Sequence, residues 1–227
     1  MKVALIGNDT DHRRFLIHSL LSKGFDLSFC IFETQSVEPL FDTVAVWADR
    51  EKSRLSACFK IHEFDPSNVL PVYKVDNLND GKALEILRDR PADIVIVSGA
   101  RKLDENVLRQ IKNKSFNIHL GNALYYRGLD SNLWALHFGD TEHLGVTLHL
   151  LDTKLDTGDV IALKRLNIPP GTPVTELRYY EMLLAIELCV DVLNSWPHVK
   201  KERQSRHGKY YSFMPAEDKN IFSNFMF

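Results

Sequence analysis

The sequence has few cysteines, and none of them is placed to form a known cysteine-based site. Its 227 residues include three cysteines, Cys30, Cys58 and Cys189. They lie far apart, are odd in number and follow neither a CxxC nor a Cys/His metal spacing. Isolated thiols of this kind are typical of buried, reduced side chains, so the pattern argues against a disulfide framework and a zinc ribbon.

Long apolar runs and blocks of positive charge are also absent. No apolar stretch approaches the roughly 20 residues that span a bilayer, and the short apolar run after Met1 is too brief for a signal peptide. We therefore expect a cytoplasmic protein with no membrane partner. The net charge is −2, and phosphate binding usually leaves a cationic footprint, so nucleic acid is not expected as the main partner.

Two common loop motifs are missing as well. The turn Gly7-Asn8-Asp9-Thr10 follows the first predicted strand but is neither a GxGxxG loop nor a P-loop, so we expect a plain turn there. Asp152, Asp156 and Asp159 lie close together, but their spacing is not that of an EF-hand. No bound metal is predicted.

Short apolar strands alternating with helical segments make up most of the chain. This alternation predicts an α/β fold, a Rossmann-like and mostly parallel sheet with flanking helices, because a β-α-β opening favours right-handed crossovers. The last two strands predict a late antiparallel hairpin. Strands are predicted at residues 3–6, 25–32, 44–47, 71–75, 93–97, 115–120, 145–151 and 160–168, and helices at 11–21, 53–62, 82–88, 104–111, 131–138 and, capped by Thr172, up to Trp196.

Two regions follow from this organisation. Residues 1–200 are predicted to form one catalytic domain, and residues 201–227 a C-terminal hairpin and aromatic tail. The tail is too apolar for a disordered end, so it should dock on the body or on a second subunit, and we expect a homodimer. Its apolar residues are Ile221, Phe222, Phe225, Met226 and Phe227.

Three polar side chains are expected to meet where predicted strands end. Asn117 and His119 are two residues apart and so share a face of a strand, and Asp156 occupies a turn just before Gly158. In open α/β sheets ligands bind at the carboxyl ends of strands, where residues 98–100 also lie. Together an amide, an imidazole and a carboxylate can stabilise an oxyanion and move protons. Taken singly, His119 also fits a core group and Asp156 a turn.

An aromatic and cationic stretch follows the strand that carries His119. Tyr125, Tyr126 and Arg127 are residue types that stack on a sugar or base and hold a phosphate. A packed loop with a surface arginine explains the same stretch equally well.

Four sequence blocks taken together resemble the folate-dependent formyltransferase family. That family includes the glycinamide ribonucleotide, methionyl-tRNA and nucleotide-sugar N-formyltransferases. The order and spacing of the blocks match, and the similarity covers roughly residues 1–170. The blocks are Asn117-Ile-His119, Tyr126-Arg-Gly128, Gly145-Val-Thr-Leu-His149 and Leu155-Asp156-Thr-Gly-Asp159.

The resemblance implies that Asn117, His119 and Asp156 are the catalytic residues and that N10-formyltetrahydrofolate is the donor. Asn117 and His119 would then bond the oxyanion, while Asp156 would polarise His119 and accept the proton of the attacking amine. No metal is required. The donor would be held by Ser98, Gly99, Ala100, Arg101 and Asp152.

The acceptor implied by the resemblance is a nucleotide-linked amino sugar, bound by Tyr125, Tyr126 and Arg127. The chain departs from the family at residues 120–124, where Leu-Gly-Asn-Ala-Leu replaces the usual Pro-Ser-Leu-Leu-Pro. Three alternatives stay open: another small amine of the glycinamide ribonucleotide type, a formyl-folate hydrolase and a catalytically silent binding protein.

Overall fold

The computed structural model describes residues 1–35, 37–111, 114–206 and 208–227. Within these described residues, nine strands and seven α-helices have the following bounds. The strands are β1 Lys2–Asn8, β2 Asp26–Glu33, β3 Val72–Val75, β4 Ile94–Ser98, β5 Ser115–His119, β6 Tyr126–Gly128, β7 Gly145–Leu150, β8 Val160–Arg165 and β9 Lys209–Tyr211; the helices are α1 Asp11–Ser22, α2 Ala48–Phe59, α3 Gly81–Asp89, α4 Glu105–Ile111, α5 Ser131–His137, α6 Leu177–Ser195 and α7 Ala216–Asn220.

Seven strands form one sheet in the order β3-β2-β1-β4-β5-β7-β8. The first five are parallel, and β7 and β8 are antiparallel to their neighbours. The prediction of a mostly parallel sheet with a late antiparallel pair is confirmed. A second, small sheet pairs β6 with β9 in parallel.

Both faces of the large sheet are covered, which explains why its central strands read as continuous apolar runs. All five residues of β4 are buried. Successive residues of β1 enter opposite cores: Leu5 packs in the cluster that contains α1 and α6 side chains, and Ile6 in the one that contains α3 and α4 side chains. None of the described helices is both long and apolar enough to span a membrane.

Two predicted elements were wrong. Residues 44–47 form no strand; Val46 donates its N–H to Asn220 Oδ1 at 2.8 Å, so side-chain contacts with α7 take the place of a strand partner. Thr172 does not cap α6, which begins only at Leu177 after a short 3-10 turn. The backbone of Thr172 pairs instead with the chain end, since its carbonyl accepts from Phe227 N at 2.9 Å.

The three cysteines are free thiols, as predicted. Cys30 and Cys189 are buried, and burial raises the pKa of Cys30 to about 12. Cys58 is only half-buried, which the sequence did not predict. A thiol that stays protonated at neutral pH is a poor nucleophile.

Candidate active site

Asn117 lies on β5 at the boundary between the parallel and antiparallel parts of the sheet. The register pairs it with His149 of β7. Its Nδ2 lies 3.1 Å from His149 Nε2 and donates to Asp156 Oδ1 at 3.4 Å. The side-chain amide of Asn117 is thus directed at both His149 and Asp156.

His119, two residues further on, is buried and has a defined tautomer. Its Nε2 lies 2.8 Å from the carbonyl of Tyr126, which can only accept, so Nε2 carries a proton. Nδ1 faces Asp156 Oδ2 at 3.6 Å. Burial lowers the pKa of His119, although Asp156 and the Tyr126 carbonyl act in the opposite direction. The ring is therefore neutral at pH 7, with its Nδ1 lone pair towards the carboxylate.

Asp156 lies in the loop between β7 and β8 and has a left-handed backbone, with φ of 53°. This conformation is uncommon for residues other than glycine, and Asp tolerates it better than most. Its Oδ2 accepts the Gly128 N–H at 2.8 Å. Burial alone would raise the pKa of Asp156, but His119, His149 and the Gly128 N–H outweigh that effect and hold it well below its usual range. The carboxylate is ionised at neutral pH.

His149 is a member of the cluster to which the sequence assigned no role. Its Nδ1 lies 2.8 Å from the carbonyl of Leu150 and so donates to it, and its Nε2 lies 3.1 Å from Asn117 Nδ2. Asp156 Oδ1 is 3.3 Å from the same Nε2. Only the pairing register of β5 with β7 brings His149 to this point; the sequence signal was its position within the motif that ends at Asp156.

An open cleft adjoins Asn117, His149 and Asp156, whereas His119 is not among its described lining residues. Of the residues predicted to hold the donor, Ala100, Arg101 and Asp152 line this cleft, whereas Ser98 and Gly99 are not among the described lining residues. Ser98 is buried at the end of β4, and Gly99 turns the chain with φ of 63°. The lining residues are Val97, Ala100, Arg101, Lys102, Leu103, Leu108, Asn117, His149, Leu151, Asp152, Lys154, Leu155 and Asp156.

The three residues predicted to bind the formyl acceptor all contact other residues of the chain near the site. Tyr126 is buried, and its hydroxyl donates to Asp140 at 2.8 Å. Tyr125 stacks on His143 with ring centroids 3.5 Å apart. Arg127 donates from Nη1 to the carbonyl of Leu155 at 3.2 Å. A role for these side chains in acceptor binding stays a prediction.

The described residues contain no group of three or more His, Cys, Asp or Glu side chains that could hold a metal ion. The site instead combines an amide donor, a neutral imidazole and an ionised carboxylate beside an open cleft. Such a set can stabilise a developing oxyanion and accept a proton.

Comparisons with known proteins give a consistent result. The family model described as formyl transferase matches residues 36–187. A methionyl-tRNA formyltransferase from Chlorobium chlorochromatii is 32% identical over 158 residues, which cover 67% of this chain and 50% of that protein. The chain thus spans about half the length of this curated relative.

Solved structures that share the fold include the following two. A sugar N-formyltransferase from Shewanella superposes with a TM-score of 0.63 at 14% identity, covering 93% of this chain and 76% of the other. The formyltransferase PseJ from Anoxybacillus kamchatkensis, solved with UDP-4,6-dideoxy-4-formamido-L-AltNAc and tetrahydrofolate, gives a TM-score of 0.53 at 17% identity, covering 98% and 89%.

Proposed function

Because the chain belongs to the formyl transferase family, we propose that it moves a formyl group from N10-formyltetrahydrofolate to the amine of a nucleotide-linked amino sugar. The family identification made from the four sequence blocks is confirmed by the match over residues 36–187. The observation that carries the proposal is the meeting of Asn117, His119 and Asp156, of which Asn117 and Asp156 line the cleft.

The cleft has the character that a reduced folate requires. Its apolar walls, which include Val97, Leu103 and Leu151, suit a flat ring system. Lys102 and Lys154 also line it and carry the charge that suits a glutamate tail. The tetrahydrofolate in the PseJ structure, which shares the fold, supports the same choice of donor.

Attack of the acceptor amine on the formyl carbon converts its carbonyl oxygen into an oxyanion. Asn117 is the side chain that would donate to this oxyanion. The 3.4 Å bond from its Nδ2 to Asp156 is long, and we expect the oxyanion to replace it. His149 would hold the second N–H and so keep the amide oriented.

The geometry favours His119 as the base. The resemblance had assigned His119 to the oxyanion and Asp156 to the amine proton, but the Nε2–H of His119 is already donated to the Tyr126 carbonyl. Its neutral Nδ1 would take the amine proton, and the Asp156 carboxylate 3.6 Å away would stabilise the imidazolium. When the bond from carbon to N10 breaks, the imidazolium returns the proton to N10, giving tetrahydrofolate.

The choice of a sugar acceptor depends on two observations. PseJ, which shares the fold along most of this chain, was solved with a nucleotide-linked formamido sugar. The net charge of −2 does not suit a polyanionic RNA. The Chlorobium relative is named for methionyl-tRNA, so tRNA is the second candidate to be tested.

The test supplies purified protein with N10-formyltetrahydrofolate and, one at a time, nucleotide-linked amino sugars, glycinamide ribonucleotide, charged initiator tRNA or water alone. Mass spectrometry detects the formylated product, and a sugar with a hydroxyl in place of the amine is the matched control. Formylation of an amino sugar is expected. Formylation of only tRNA or glycinamide ribonucleotide would overturn the acceptor, and release of formate without any acceptor would favour a hydrolase.

A further inference from the structure

The chain that follows α6 returns to the catalytic site and contacts it on two sides. We call residues 202–206 and 208–211 the strap. Glu202 and Val160 exchange two backbone hydrogen bonds of 2.8 Å, which places the start of the strap beside β8. Its end is β9, which pairs with β6. The strap lies beyond the residues that the family model matches.

Gln204 is the buried side chain at the centre of the strap, with 6% of its surface exposed. Its Nε2 donates to two backbone carbonyls of the catalytic loop, those of Asp156 at 3.0 Å and Gly158 at 2.9 Å. One carboxamide group therefore satisfies two carbonyls on either side of Thr157.

The loop that receives these bonds has little regular structure of its own. Residues 151–159 contain no helix or strand. Asp156 holds a left-handed backbone, and a Cβ on Gly158 would lie 1.8 Å from the carbonyl oxygen of Leu150, so the loop folds tightly against β7. An uncommon backbone conformation persists only where its surroundings determine it.

The strap also supports the two groups that bond directly to the catalytic side chains. β6 supplies the Tyr126 carbonyl to His119 and the Gly128 N–H to Asp156. Its only described strand partner is β9. Arg127 of β6 also links the strap to the loop, because it donates hydrogen bonds to the carbonyl of Gly208 in the strap and to the carbonyl of Leu155 in the loop.

We propose that Gln204 is a positioning residue that holds the Asp156 carboxylate against Nδ1 of His119. The expected effect on the rate rests on the proposed function. If His119 is the base, the distance between Asp156 and His119 sets how well the carboxylate stabilises the imidazolium. Small errors in such a position can lower a rate about 100-fold.

The test compares Gln204→Leu, which keeps the size but removes both donors, with Ser205→Ala on the neighbouring exposed residue. In Gln204→Leu, kcat should fall at least about 10-fold, while KM for the acceptor changes much less. Gln204→Asn keeps the carboxamide on a shorter stem and should lose less of kcat. If Gln204→Leu does not fold, Gln204→Asn serves as the test variant.

A second readout needs no substrate. The charged and polar groups that face His119 are Asp156, the Tyr126 carbonyl, His149 and Arg127. Asp156 raises the pKa of His119, so movement of the carboxylate away should lower that pKa further when it is followed by NMR. Ser205→Ala should leave it unchanged.

Two results would overturn the proposal: wild-type kcat in a folded Gln204 variant, or an unchanged His119 titration in that variant. Absence of formyl transfer by the wild type would reject the proposed function alone. The NMR titration would still decide the role of Gln204.

Discussion

His119 is held between a carbonyl that fixes one of its nitrogens and a carboxylate that faces the other. The Tyr126 carbonyl requires a proton on Nε2, so Nδ1 is the nitrogen that can gain or lose one. Asp156 stays ionised because its polar neighbours lower its pKa below the usual range. In the proposed mechanism, Nδ1 is therefore the atom of His119 that would accept the proton of the amine.

The pH dependence of the rate follows from this arrangement. A base must be unprotonated, and burial lowers the pKa of His119 below its usual value near 6.5. We expect kcat/KM to be constant from pH 7 upwards until other groups titrate, and to fall on an acid limb centred below pH 6.5. A pH–rate profile of the free enzyme measures this limb. A limb centred at or above pH 7 would show that His119 is not the base.

The free energy of unfolding should also decrease as the pH falls. The unfolded chain binds protons at His119 and Asp156 at higher pH than the folded chain does, because both folded pKa values are lowered. The contribution of His119 is therefore lost as pH falls from about 6.5 through its folded pKa, and that of Asp156 as pH falls from about 4.

The sequence identified Asn117, His119 and Asp156 as one site because the motif spacing carries that information locally. His149 and Gln204 escaped assignment for a physical reason. His149 reaches Asn117 only through the register of β5 against β7, and Gln204 reaches the loop only through the path of the chain after α6. Neither the strand register nor the path of the chain can be predicted from the spacing of residues within a short sequence motif.

At the scale of elements, apolar runs predicted the strands of the sheet well. Residues 93–97, for example, correspond to β4 Ile94–Ser98 within one residue. The two wrong predictions fall where contacts between distant parts of the chain, and not the local sequence pattern, determine the structure. Val44 and Val46 have the composition of a strand but are exposed beside α7, and the backbone of Thr172 is occupied by the chain end.

The turn between β5 and β6 should be sensitive to added volume. A Cβ on Gly121 would lie 2.6 Å from His119 Nε2 and 2.4 Å from Ser131 Cβ, closer than atoms can pack. Gly121→Ala should displace the imidazole and lower kcat about 100-fold. Steady-state kinetics and circular dichroism separate this effect from loss of fold.

The matched control for that variant is Gly81→Ala at the start of α3, where nothing lies within 4 Å of an added Cβ. Its kcat and melting temperature should stay close to those of the wild type. Equal kcat in the two alanine variants would show that the turn does not position His119.

At the scale of the whole molecule, the apolar chain end docks on the body of its own chain. Phe222 is buried, Phe225 accepts the Val174 N–H at 3.1 Å, and Phe227 exchanges backbone hydrogen bonds with residues 171 and 172. Docking on the same chain thus accounts for Phe222 and for the backbone contacts of Phe225 and Phe227, whereas Ile221 and Met226 stay largely exposed. The homodimer and the division at residue 200 stay predictions.

The assignment of the three catalytic residues is tested by single-turnover formyl transfer with the acceptor identified in the panel. The wild type is compared with Asn117→Ala, His119→Ala and Asp156→Ala. Folding of each variant is checked by its melting curve. We expect transfer by the wild type and a loss of at least about 100-fold in each folded variant. Wild-type turnover in any one of them would contradict the assignment of that residue to the catalytic site.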